Sequence, residues 1–130
     1  MNHLTMKTKY NIIIIMSMAQ VNLQHVFLVG PLLFYIGTQK ENTPRWAFIS
    51  LATLAAMIPF IVSYNYSSLS YRAIVNASHY LFWIPLFGYI AYAGLNKRLG
   101  TYMYPILQLL GLSAITIHLF LFSQKMNWID

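Results

Sequence analysis

The chain has 130 residues, of which 58% are hydrophobic, 16% aromatic and only 8% charged, a balance that excludes a water-soluble globule and reads as a membrane protein. Its net charge of +6 comes from basic residues scattered between long apolar segments, so there is no stripe to follow phosphates and nucleic acid is excluded as a partner. The absence of cysteine removes disulfides, thiolate metal sites and thiol catalysis together.

In chain order, residues 1–19 come first as an N-terminal interfacial or anchor segment. Lys7 and Lys9 precede the apolar run Ile12 to Met16, and Ser17-Met18-Ala19 resembles a signal-peptidase site; a cleaved signal peptide and a retained segment both fit. A helix needs about 20 residues to cross a bilayer. On that measure the rest divides into four crossings, Gln20 to Gly37, Trp46 to Tyr64, Val75 to Leu95 and Tyr102 to Ser123, with a tail at 124–130. Thr43 before Pro44 reads as an N-cap and first-turn proline, and Asn96-Lys97-Arg98 with Gly100 separates the third helix from the fourth. The apolar segments do not alternate with period two and are too long for barrel strands.

The chain repeats itself. Val21-Asn22-Leu23-Gln24-His25 leads to Pro31-Leu32 and Tyr35-Ile36, and Val75-Asn76-Ala77-Ser78-His79 leads to Pro85-Leu86 and Tyr89-Ile90. At an offset of 54, seven of 17 positions agree between 21–37 and 75–91. Asn, His and Pro are not residues that a lipid-facing helix gains by repeating, so the expected fold is an all-α, integral membrane four-helix bundle made of two parallel two-helix repeats. Repeat 1 is 20–64, repeat 2 is 75–123, and 65–74 connects them.

Polar side chains inside apolar helices are costly and mark function. Helix geometry brings His25, His79 and His118 to comparable depth near the side of the bilayer that holds both termini. Asn22 and His25, like Asn76 and His79, lie three apart and share a face. The expected site is therefore a polar cluster of His25, His79, His118, Asn22 and Asn76, joined by Gln24 and Tyr64. Pro31 and Pro85 remove a backbone donor in mid-helix, freeing the carbonyls of Phe27 and Leu81 and predicting matched kinks. Interhelical packing is the structural reading of the asparagines, and a headgroup-boundary position that of each histidine.

Three functions fit this pattern. The first is a small channel or carrier whose His/Asn cluster meets a proton or ion. A non-catalytic subunit of a larger membrane assembly is the second. The third is a b-type haem protein with His25 and His79 as axial ligands, or a metal site on the same histidines. A membrane enzyme has no supporting motif: only Glu41 and Asp130 are acidic, and Gly111-Leu112-Ser113-Ala114 lacks the second glycine of an intramembrane serine motif. The expected partners are the lipid bilayer and either further copies of the chain or a larger complex. Basic residues divide four and four between the two sides of the membrane, Lys7, Lys9, Arg72 and Lys125 against Lys40, Arg45, Lys97 and Arg98, so charge leaves the orientation undetermined.

Overall fold

A computed structural model of the chain describes residues 20–62 and 70–126, with the side chain of Arg72 excepted. The segment 1–19, Tyr64 with the rest of 63–69, and the tail 127–130 lie outside the described residues. Among the described residues there are four helices and no strand. They are α1 (Gln20–Asn42), α2 (Arg45–Ile61), α3 (residues 71–95) and α4 (Met103–Lys125). Two of them, α1 and α4, are long and apolar enough to cross a membrane; at 23 residues each they reach about 35 Å, against about 30 Å of hydrocarbon.

Local chemistry sets the helix ends. Ser70 accepts from the Ala73 N–H at 3.3 Å, and this cap starts α3 at Tyr71 rather than at the predicted Val75. At the start of α2 the N-cap is Pro44, in extended conformation and without a side-chain cap. Before it, the Thr43 hydroxyl donates to the Lys40 carbonyl at 2.6 Å. After α3, Lys97 N–H bonds Gly94 O at 3.1 Å and Arg98 N–H bonds Ala93 O at 2.8 Å, a Schellman closure whose left-handed residue is Lys97. Gly100 was the expected breaker, but no glycine among the described residues has positive φ.

The chain forms two compact units, one joining α1 to α4 and the other, Gln39–Tyr104, holding α2 and α3. In the second, α2 buries Ala47, Phe48, Leu51 and Ala55, and α3 buries Phe87, Ile90, Ala91 and Ala93, each a stripe at helical spacing. Gly94 lets the Phe48 ring lie directly on α3, where a methyl group would collide with it. Tyr80 ties the pair at its other end by donating to the carbonyl of Val62, just past α2. In the first unit α1 and α4 meet at Gly30 and Gly111. A Cβ on Gly111 would fall 2.6 Å from the Gly30 carbonyl oxygen and 2.5 Å from the Phe34 nitrogen, so backbone touches backbone. Gln108 donates to Thr38 across the same helix pair at 3.3 Å.

Outside these contacts the helices present apolar side chains. Phe60 is 91% exposed, Leu81 79% and Phe27 75%. On α4, Leu109, Leu112, Ile117 and Phe120 are exposed as well.

Candidate functional site

The site is built where α1 departs from α-helical geometry. Pro31 has no N–H and its ring crowds the carbonyl four residues back, so a regular helix cannot run through it. The chain answers with a π turn at His25–Val29, in which the Gly30 N–H reaches back to the His25 carbonyl. Gly30 thereby passes over the Val26 carbonyl, and Pro31 offers nothing to Phe27. The turn thus disturbs more than the single Phe27 carbonyl that the proline alone would free.

The same device recurs in α3. A π turn spans His79–Trp83, the Ile84 N–H goes to the His79 carbonyl, and Pro85 follows. In each helix the first residue of the turn is the histidine, and each histidine makes the same bond. His25 Nδ1 lies 2.8 Å from the Val21 carbonyl and His79 Nδ1 lies 2.8 Å from the Val75 carbonyl. A carbonyl only accepts, so Nδ1 carries a proton in both rings, and in the neutral ring the lone pair sits on Nε2. A backbone-anchored Nδ1–H is the arrangement that orients imidazole as a proton acceptor or a metal ligand.

Asn22 and His25 share a face of α1, and that face meets His118 of α4. The His25 and His118 rings stack with centroids 4.0 Å apart and planes 22° from parallel. His118 Nδ1 donates to Asn22 Oδ1 at 3.0 Å, since an amide oxygen can only accept. Asn22 is only 5% exposed, and its amide Nδ2 is buried without a hydrogen-bond partner. Turning the amide over exchanges the two atoms and leaves the oxygen unpaired instead. An unmet buried polar atom costs about 1–3 kcal/mol, which offsets part of what the Oδ1 bond to His118 contributes.

The predicted cluster is thus assembled in part. Asn22, His25 and His118 come together on α1 and α4, while Asn76 and His79 belong to the α2–α3 unit, both half-buried. Gln24 is exposed on α1. Among the described residues no group of three or more His, Cys, Asp or Glu side chains is placed to hold a metal ion. Sequence reasoning missed Gly30, whose signal was a glycine ahead of a mid-helix proline, and the Thr38–Gln108 bond, for which an isolated polar pair 70 residues apart gave none. Comparison with protein families, with characterised proteins and with solved structures finds no match to this chain.

Proposed function

We propose that the chain is a multi-pass integral membrane protein, crossing the bilayer four times, and that it acts as a small channel or carrier for protons or ions. The observation that carries this reading is that the stacked His25–His118 pair, with Asn22, lies on the two helices long enough to cross a membrane. Ionisable side chains in such segments are costly unless they serve a pathway or a partner. Each imidazole both gives and takes a proton, and the unpaired amide of Asn22 provides a further polar contact for a passing oxygen. The exposed Leu109, Leu112, Ile117 and Phe120 of α4 suit hydrocarbon or a neighbouring subunit, since water would penalise them.

An internal duplication at offset 54 belongs to the same reading. It is supported by the repeated Asn-x-x-His, by the two five-residue π turns at His25–Val29 and His79–Trp83, and by the matched Nδ1 bonds to Val21 and Val75. Carrying α1 to α3 and α2 to α4 also exchanges the two compact units, because α1 pairs with α4 and α2 with α3.

The test is proton flux into liposomes with a trapped pH dye. The parent protein should dissipate an imposed pH gradient, and the His25→Ala/His118→Ala protein, folded and incorporated equally, should do so about a hundredfold more slowly, the low end of losing one proton-transfer group. Equal flux in the two would remove the histidines from the pathway. No flux in either would leave the accessory-subunit reading. An oxidised and reduced absorption spectrum of the same sample decides the haem reading of His25 and His79.

A further inference from the structure

Lys40, where the last turn of α1 tightens, and Lys97, just past α3, are the only non-glycine residues with positive φ among the described residues, at 53° and 55°. In this left-handed region the Cβ meets the carbonyl, so glycine, and to a lesser degree asparagine, is the less costly choice. The sequence has those residues close by, Gly94, Asn96 and Gly100 around Lys97 and Asn42 after Lys40, yet lysine occupies both strained positions. A feature kept against the backbone's preference at two places points to the side chain.

Both lysines belong to the α2–α3 unit and to the same end of it. α2 starts at Arg45 and α3 finishes at Leu95 in an antiparallel pair, with Gly94 against Phe48. Lys40, Arg45, Lys97 and Arg98 are all exposed there, with Glu41 as the one acidic neighbour in sequence. The unit's fifth basic residue, Arg72, is at the other end, in the first turn of α3. Exposed Trp46 and Tyr102 flank the basic group, in the manner of side chains that lie at the level of lipid headgroups.

We infer that this rim binds anionic phospholipid headgroups, with Lys40 and Lys97 held in left-handed turns so that their ammonium groups stand beside Arg45 and Arg98. The inference rests on the membrane reading above. A basic residue beside an anionic membrane surface raises affinity about fivefold, so four together give a clear preference over zwitterionic lipid.

The Lys40→Gly/Lys97→Gly variant separates charge from backbone, because glycine fits both turns better than lysine does. The reporter is Trp46 in a Trp83→Phe/Trp128→Phe background, reconstituted in phosphatidylcholine with either brominated phosphatidylglycerol or brominated phosphatidylcholine as quencher. The expected result is that phosphatidylglycerol quenches Trp46 preferentially, and that the double glycine variant cuts the preference at least about fivefold while its thermal unfolding in detergent occurs no earlier than that of the parent. Equal quenching by the two lipids in the parent overturns the proposal and leaves the membrane reading standing. An unchanged preference in the glycine variant also overturns it, since the lysines then serve only the turns. Absence of quenching by either lipid, with release of the protein from membranes by alkaline carbonate, overturns both.

Discussion

His118 donates a hydrogen bond from Nδ1 to Oδ1 of Asn22 over 3.0 Å, linking two side chains 96 residues apart in the chain. The bond joins the start of α1 to the last third of α4, and the stacked ring of His25 covers it from one turn away. The Asn22 amide thus holds the His118 ring, while His25 is held by the Val21 carbonyl.

The strength of that bond is measurable by a double-mutant cycle. Asn22→Ala and His118→Ala should each destabilise the α1–α4 pair, and under the proposed membrane reading the coupling between them should be about 0.6–2 kcal/mol. Unfolding in mixed micelles provides the four free energies. Perfect additivity would mean that the two side chains do not interact.

The backbone bonds of His25 and His79 predict their tautomers. In protein labelled with nitrogen-15 at histidine, both rings should show a protonated Nδ1 and an unprotonated Nε2 whenever they are neutral, because each Nδ1 lies 2.8 Å from a carbonyl. The pattern should be the same for the two residues, and Asn76→Ala should leave it intact, since the acceptor is the main chain of Val75. An Nε2–H signal from either ring would contradict the geometry.

Proline is the cause assigned to the π turns, which makes Pro31→Ala and Pro85→Ala informative. Each restores an N–H, and the expected outcome is a return to α-helical bonding with a gain of up to about 3 kcal/mol in helix stability. Loss of the π turn in α1 rotates residues 20–24 against the rest of the helix and should separate Asn22 from His118. Amide exchange at residues 27–32, together with a liposome flux assay, reads both effects. Retention of the π turn in Pro31→Ala would make the histidine, not the proline, responsible.

Close backbone contact predicts unequal costs for two glycine-to-alanine changes. Gly111→Ala drives a methyl group into the Gly30 carbonyl and the Phe34 backbone, which cannot move aside locally, and should cost about 1–3 kcal/mol of thermal stability. Gly94→Ala meets the Phe48 ring, which can rotate, and should cost less. The reverse order of melting temperatures would show that the α1–α4 crossing is loose.

Much of this molecule was legible in the sequence because its signals are local. Long apolar runs without period-two alternation read as helices, so the four segments follow from composition, while their ends were less legible: α3 begins at Tyr71 behind Ser70, and Lys97, not Gly100, takes the left-handed position after it. The repeated Asn-x-x-His was visible because three-residue spacing places both side chains on one face whatever lies opposite. Pro31 and Pro85 announced broken helices by losing an N–H.

Tertiary structure decided what no local pattern specifies. Which helix stands opposite the Asn22–His25 face depends on close approach at Gly30 and Gly111, a contact between residues far apart in the chain, and this is why His118 joins His25 in one unit. The form of the break at each proline, a π turn and not a simple lost bond, depends on how the whole turn redistributes its hydrogen bonds. The strained lysines at 40 and 97 were invisible for a related reason: lysine carries no turn signal, and only the course of the backbone at each helix end sets the left-handed conformation.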